Sequence, residues 1–90
     1  MKIAYDERKR QWTLLERGLD FADASKVFEA DYLEFLDDRQ DYGEDRYIVY
    51  GELEGRAVAI VWTLRNDTRR IISMRYVHDE ELKARRKALD

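Results

Sequence analysis

Hydrophobic and polar positions follow a helical rhythm in the first third of this chain. Trp12, Leu15 and Leu19 recur at i, i+3 and i+7, and Phe21, Ala24, Val27 and Phe28 form the apolar face of a second helical segment. Asp6 and Asp20 stand where helix N-caps are expected, and Gly18 is a suitable C-terminal stop. The pattern predicts two short helices over about 6–17 and 21–29, which form a helical hairpin.

The remaining two thirds of the chain has the composition of strands. Four segments rich in β-branched and aromatic residues are predicted as strands: 30–36, 46–53, 57–64 and 70–77. An acidic loop separates the first two strands, and tight turns at Glu54-Gly55 and Asn66-Asp67 join the others. A final helix over 80–89 is predicted after Asp79, and residues 2–5 form a weak extended entry.

This order of elements predicts an α+β fold in a single domain over residues 1–90. Strands that follow one another through short turns form an antiparallel sheet, here of about four strands. The N-terminal helical hairpin packs on one face of that sheet, and a C-terminal helix completes the fold. The side chains expected to be most buried are Trp12, Leu15, Phe21, Val27, Phe28, Ile60 and Ile72.

Two arginines bound the last strand, Arg70-Ile71-Ile72-Ser73-Met74-Arg75. With the turns centred at 54–55 and 66–67, Arg46 pairs with Thr63, and Thr63 pairs with Arg70, so the three share one face. By the same parity, Tyr50, Ala59 and Met74 lie on that face, and Ser73 and Arg75 lie on the other. A charge beside an apolar face is costly unless it is paired or used.

A two-arginine cluster with a hydroxyl between its members suits a phosphate or a carboxylate, because guanidinium presents paired planar donors. The competing interpretation is structural. In it, the arginines reach solvent at the strand ends or join ion pairs, above all Glu44 with Arg46.

Charge is divided unevenly along the chain, although the net charge is only −3. Residues 16–54 hold 13 acidic and 4 basic side chains, whereas residues 55–87 hold 9 basic and 4 acidic ones. The basic segment can present a positive patch to a polyanion, or the two segments can neutralise each other across the fold. Without cysteine and with one histidine, no metal site or cofactor is expected. No apolar run could span a bilayer or act as a signal peptide, so a cytoplasmic location is expected.

Several segments, in order, resemble the BrnT toxins, which are the toxic half of a bacterial type II toxin–antitoxin pair. The matching segments are Tyr5-Asp6 followed by Lys9, then Phe21-Ala22-Asp23-Ala24 with Val27-Phe28, Gly43-Glu44-Asp45-Arg46, and Arg70-Ile71-Ile72-Ser73-Met74-Arg75. Where the family usually has Lys-His-Gly at the end of the first helix, this chain has Glu16-Arg17-Gly18. The resemblance implies a fold similar to RelE-type ribonucleases and RNA cleavage that needs no metal.

Such cleavage requires cations around the phosphate, a base and an acid. Arg46, Arg70 and Arg75 are the candidate stabilisers of the transition state, and Glu44 and His78 are the candidate bases. Further RNA contacts are expected from Lys9, Arg17, Tyr47, Arg69, Lys83 and Arg86. For His78 the structural alternative is an ordinary loop residue between a strand and a helix.

The resemblance also implies a protein partner, a ribbon-helix-helix antitoxin of the BrnA kind that covers basic surface. DNA would be contacted only indirectly, through that antitoxin. Two other functional classes stay open on the sequence alone. One is a small interaction module whose acidic loop 37–45 binds a basic partner, and the other is a nucleic-acid binder of the same fold without catalysis.

Overall fold

A computed structural model of the chain describes residues 1–89 and shows a five-stranded sheet with helices on both faces. The order of the strands across the sheet is β1-β5-β4-β3-β2. In chain order the elements are β1 (Lys2–Tyr5), α1 (Glu7–Arg17), a 3₁₀ turn (Phe21–Asp23), α2 (Ala24–Phe28), β2 (Leu33–Leu36), β3 (Arg46–Leu53), β4 (Arg56–Arg65), β5 (Thr68–Tyr76) and α3 (Asp79–Ala88).

The first helix begins and ends where its sequence predicts. The Asp6 side chain accepts hydrogen bonds from the backbone N–H groups of Arg8 and Lys9, at 2.8 and 3.2 Å. Gly18 ends α1 in the left-handed conformation, with φ of 71°, and its N–H donates to the Leu14 carbonyl. The second helix is shorter than predicted, because residues 21–23 form a 3₁₀ turn before it.

The two predicted turns set the register of the central hairpins. Positive φ angles at Glu54, Gly55, Asn66 and Asp67 give two-residue connections that match the twist of antiparallel strands. Consequently Arg46 lies opposite Thr63, and Thr63 lies opposite Arg70, as predicted.

The sheet is mixed, which corrects the prediction of about four antiparallel strands. The segment predicted as a weak entry is a true strand, β1, and it pairs parallel to β5 from Lys2↔Thr68 to Tyr5↔Ile71. β1 and β5 are far apart in the sequence and no turn joins them. Prediction from neighbouring segments therefore missed this pairing.

A β-bulge in β5 changes which face its side chains occupy. Ile71 pairs with Trp62 and Ser73 pairs with Val61, so Ile72 is an extra residue in the ladder. Beyond it, Met74 lies opposite Ile60 and Arg75 lies opposite Ala59. The predicted placement of Ser73, Met74 and Arg75 is therefore wrong, because a bulge reverses the parity of every later position. Arg70 and Arg75 share one face of the sheet.

The two faces of the sheet carry separate apolar clusters. On one face, residues between α1 and the end of α2 pack against the sheet; this cluster includes Leu19, Phe21, Ala24, Val27, Val49, Ile60, Trp62, Ile71 and Met74. On the other face, α3 packs through Leu82 against Tyr50, Ala57 and Ala59. The second face also carries Arg46, Arg70 and Arg75, and we call it the arginine face.

The predicted core is right in part. Phe21, Val27 and Ile60 are fully buried, whereas Phe28 and Ile72 are only half-buried. Trp12 and Leu15 are exposed, at 53% and 83%, which contradicts the prediction. Thr13 is the buried residue of α1 instead, because the helix turns its apolar stripe away from the sheet.

Candidate active site on the arginine face

Arg46 and Arg70 flank Thr63 across three adjacent strands. Two strand spacings separate their backbones by about 10 Å, a gap that two long side chains can close around one anion. The Thr63 hydroxyl donates to the Asp45 carbonyl at 2.6 Å, so it anchors the loop before β3 instead of pointing a donor at a ligand. The register thus confirms the predicted neighbours, and the hydroxyl has a structural contact.

Glu44 holds two arginines at this end of the sheet. Its carboxylate accepts hydrogen bonds from Arg65 at 3.2 Å and from Arg46 at 3.3 Å. These two guanidinium groups hold the pKa of Glu44 below its ordinary value. A carboxylate with a lowered pKa is a weak base near neutrality. Glu44 is therefore better suited to positioning Arg46 than to removing a proton. The ring of Tyr42 supports the same guanidinium at 4.1 Å.

Arg70 has a different environment from Arg46. Within residues 1–89, its side chain makes no hydrogen bond or salt bridge. Its charge acts on Asp6, whose pKa is lowered chiefly by the N–H groups of Lys9 and Arg8, and further by the charges of Lys9 and Arg70. The charges of Lys9 and Arg70 therefore both act on Asp6, at the start of α1.

A second charged cluster occupies the arginine face where α3 begins. Arg75 donates to both carboxylate oxygens of Glu81, at 3.2 and 3.5 Å. That contact lowers the pKa of Glu81, and the nearby positive charges of Arg85 and His78 lower it further. Sequence reasoning singled out Arg75 and His78 but missed Glu81 and Arg85. Their spacing could have revealed them, because His78, Glu81 and Arg85 recur at helical intervals beside the apolar Leu82.

A cleft of about 320 Å³ lies between this cluster and the strands β2 and β3. Asp37 forms part of its wall, with a side chain that is only 1% exposed. The Arg39 guanidinium donates to both oxygens of Asp37, at 2.7 and 2.8 Å, and holds the pKa of that carboxyl below its usual range. The remaining walls come from Phe35, Leu36, Asp38, Arg39, Ile48, Tyr50, Arg75, Glu81 and Arg85.

Two of the predicted RNA contacts lie on the opposite face of the sheet. The guanidinium of Arg69 stacks between the rings of Phe28 and Trp62, at 4.0 and 5.0 Å, and donates to the Tyr32 hydroxyl. Tyr47 stacks on Trp62 with 4.9 Å between ring centroids. These contacts fit a packing role for both residues.

The other predicted contacts are distributed around the molecule. Arg17 donates to the Met74 carbonyl at 2.9 Å and lies over the Trp12 ring, which ties the end of α1 to β5. Lys83 and Arg86 are exposed on α3. Neither of these two makes a side-chain hydrogen bond or a salt bridge to any other described residue.

In the described part of the chain, no three histidine, cysteine, aspartate or glutamate side chains are gathered closely enough to form a metal site. No helix among the same residues is long and apolar enough to cross a membrane.

The comparisons with known proteins give one informative result. No match was found among curated proteins. By contrast, the family model described as "Ribonuclease toxin, BrnT, of type II toxin-antitoxin system" matches residues 5–81, which include the start of α1, both clusters of the arginine face and Glu81. On this match, which spans most of its length, the chain belongs to the BrnT family of ribonuclease toxins.

Proposed function

We propose that this chain is an endoribonuclease toxin that cleaves RNA without a metal ion and so inhibits translation. The observation that carries the proposal is the bulge at Ile72, which brings Arg75 onto the face that already holds Arg46 and Arg70. Three guanidinium groups on one face offer a track of positive charge to a sugar–phosphate backbone, although the chain is acidic overall.

The chemistry of this proposal is an attack of the ribose 2′-oxygen on the adjacent phosphorus. A new O2′–P bond forms while the P–O5′ bond breaks, which leaves a 2′,3′-cyclic phosphate and a 5′-hydroxyl. A base removes the 2′ proton, an acid supplies the proton to the 5′ oxygen, and cations balance the added charge on the phosphoryl oxygens.

We assign the proton transfers to the cluster at the start of α3. Arg75 lies there with His78 and Glu81, and an imidazole is the side chain that most often serves as general base and general acid. Glu81 holds the guanidinium of Arg75, in the same way as Glu44 holds Arg46. The charge that develops on the phosphate is then met by an arginine that is already oriented.

Arg46 and Arg70 are assigned to a neighbouring phosphate of the same strand. Their partner Thr63 is four positions along β4 from Ala59, the partner of Arg75, which separates the two clusters by about 13 Å. A single RNA strand that crosses this distance presents more than one phosphate. Lys9, whose charge acts on Asp6 as that of Arg70 does, is a further candidate contact for the strand.

The family membership implies an antitoxin partner, and we propose that it is a ribbon-helix-helix protein of the BrnA kind. The relation to RelE-type ribonucleases and the cytoplasmic location belong to the same proposal. Its structural support is a sheet covered by helices, with basic side chains on one face.

The test compares arginine variants in RNA cleavage and in thermal unfolding on the same preparations. Arg70→Ala and Arg75→Ala should each lower the cleavage rate by roughly 10²-fold or more, the scale seen when one preorganised donor is lost. Arg70→Lys should recover only part of that loss, because lysine lacks the planar fork. Lys26→Ala, which removes an exposed cation from α2 on the opposite face of the sheet, is the control and should cleave as the wild type does.

One observation favours a second candidate, a non-catalytic binding module. Arg46 and Arg75 are each paired with a carboxylate, which reduces the charge that they can offer a phosphate. If this alternative is correct, the folded wild-type chain cleaves neither free nor ribosome-bound RNA. Full activity of both arginine-to-alanine variants would instead remove the site assignment and leave ribonuclease activity in place.

A further inference from the structure

Helix α1 presents large apolar side chains to solvent. Leu15 is 83% exposed and Trp12 is 53% exposed, and the neighbouring Leu14 is 45% exposed. Trp12 and Leu15 are three positions apart and therefore lie side by side on one helical face. Arg8 and Gln11 lie on that face one turn earlier, and all four side chains are exposed. We call Arg8, Gln11, Trp12 and Leu15 the α1 outer face.

This concentration of apolar surface is specific to α1. The other exposed large apolar residues in the part of the chain that the structure describes are Met1, Leu36, Leu64 and Leu89. Each of these stands without another exposed large apolar residue within three positions of it. Single exposed apolar side chains are ordinary on a protein surface, whereas a contiguous group marks an interaction site.

The helix does not depend on the outer face for its attachment to the sheet. Arg10 on the inner side donates to both oxygens of Asp20, at 2.8 and 3.0 Å. Arg17 donates to the Met74 carbonyl, and Thr13 is buried. Polar contacts and caps hold α1 from the inner side. On the outer side, the Arg17 guanidinium lies over the Trp12 ring at 5.2 Å, and this contact leaves Trp12 53% exposed and Leu15 83% exposed.

The charge around the outer face indicates what kind of surface would cover it. Arg8 and Lys9 are exposed, and neither forms a salt bridge with any residue between 1 and 89. Glu7 is paired with Arg10 at 2.7 Å, so Glu16 is the remaining acid on the helix. The face is therefore apolar at its centre and has an excess of positive charge. A second copy of the chain would bring the same excess to the contact, whereas an acidic partner would neutralise it.

We propose that the α1 outer face is a docking surface for an acidic amphipathic helix of the antitoxin. Apolar side chains of that helix would cover Trp12 and Leu15, and its carboxylates would meet Arg8 and Lys9. The inference rests on the proposed function for the existence of an antitoxin, and goes beyond it by naming the contact surface and the chemistry of the partner's segment. A contact here leaves Arg75 and the cleft beside α3 outside the docking residues.

The test measures, by titration calorimetry, the affinity of the chain for the proposed antitoxin, taken as the product of the reading frame next to its gene. Trp12→Ala and Leu15→Ala should each weaken binding by roughly 30-fold or more, as expected for interface hot spots. Arg8→Glu should weaken antitoxin binding more at low salt than at high salt, because salt screens the charge contact. Leu64→Ala, on a side chain that is 51% exposed in β4, is the matched control and should bind as the wild type does.

Each result has a defined meaning. Wild-type affinity in folded Trp12→Ala and Leu15→Ala variants would overturn the proposal, and so would a complete lack of binding by the wild-type chain. If the free wild-type chain is a dimer and Leu15→Ala makes it monomeric, the occupant is a second copy, and the proposed partner is wrong. RNA cleavage by the free Trp12→Ala and Leu15→Ala variants should equal that of the wild type, so a failed ribonuclease test and a failed docking test are separate outcomes.

Discussion

Asp37 shows at the scale of a single residue how this small protein keeps a buried charge. Its carboxylate accepts two hydrogen bonds from the Arg39 guanidinium, at 2.7 and 2.8 Å, one from the Arg39 backbone N–H at 3.4 Å and one from the Tyr42 hydroxyl at 3.3 Å. Arg39 is itself mostly exposed, so the pair combines a buried acceptor with a donor that stays in water. Because the pKa of Asp37 is lowered in the folded chain, its stabilising contribution is present above the unfolded pKa near 4 and is lost as the pH falls through the lower folded value.

Replacement of Arg39 by alanine should therefore destabilise the chain in a pH-dependent way. At pH 7 we expect a loss of about 1–2 kcal/mol in the free energy of unfolding, since the buried carboxylate loses its two charged donors and keeps those of Tyr42 and the backbone, while the lost cation was partly screened. Burial without Arg39 raises the pKa of Asp37, so the difference from wild type should shrink as the pH falls towards 4. Urea unfolding at several pH values measures this. Asp37→Asn, which removes the titrating carboxylate, is the control. If the difference in free energy of unfolding between Arg39→Ala and the wild type does not change with pH, the explanation is contradicted.

At the scale of elements, the sequence predicted the two turns of the central hairpins but did not predict the bulge in β5. Glu54-Gly55 and Asn66-Asp67 fix the pairing of Arg46, Thr63 and Arg70, because a two-residue turn allows one register. The bulge at Ile72 involves no glycine or proline, and its residues look like those of any buried strand. The sequence therefore predicted that Arg46 and Arg70 share a face, and the structure was needed to add Arg75 to them.

Helical periodicity likewise predicted α1 but not its orientation. A stripe of Trp12 and Leu15 shows that one side of a helix is apolar, and it does not show whether the chain itself or a partner covers that side. Here the polar Thr13 and Arg17 face inwards. Glu81 was missed for a related reason, because an acid in the first turn of a helix is explained well enough by the helix dipole.

The packing of α2 on β3 requires a glycine, and this gives a second prediction. A Cβ added at the buried Gly51 would lie 2.8 Å from Cγ1 of Val27. Gly51→Ala should therefore cost about 1–3 kcal/mol in the free energy of unfolding, through overpacking. The double variant with Val27→Ala should lose less free energy of unfolding than the two single variants lose together, since the smaller side chain removes the clash. Additive costs in chemical denaturation would show that Gly51 is not constrained by α2.

At the scale of the whole molecule, a net charge of −3 coexists with a positively charged face. Acids are concentrated before residue 55 and bases after it, but the fold does not simply pair the two halves. Glu44 reaches Arg65 across the sheet, whereas Arg75 is paired with Glu81 from its own half of the chain. Local charge, and not the total, should therefore govern the binding of RNA.

Salt dependence provides the corresponding prediction. If Lys9, Arg46, Arg70 and Arg75 contact phosphates, the logarithm of the affinity for single-stranded RNA should fall with the logarithm of salt concentration with a slope of about −3. Arg70→Ala should reduce the magnitude of that slope by about 0.7. Fluorescence anisotropy with a 2′-deoxy oligonucleotide, which cannot be cleaved, measures this. A slope near zero for the wild type would show that the arginine face does not bind the backbone.

The contact between Arg17 and the Met74 carbonyl has a consequence for the edge of the sheet. Strand β1 covers β5 only as far as Ile71, so β5 continues beyond its neighbour with backbone groups directed outwards. An uncovered strand edge is a template on which another chain can add a strand and begin to aggregate. By taking the carbonyl at residue 74, Arg17 occupies an acceptor that an incoming strand would need. A side chain that resembled a ligand for RNA can thus serve to keep the protein from polymerising through its own sheet.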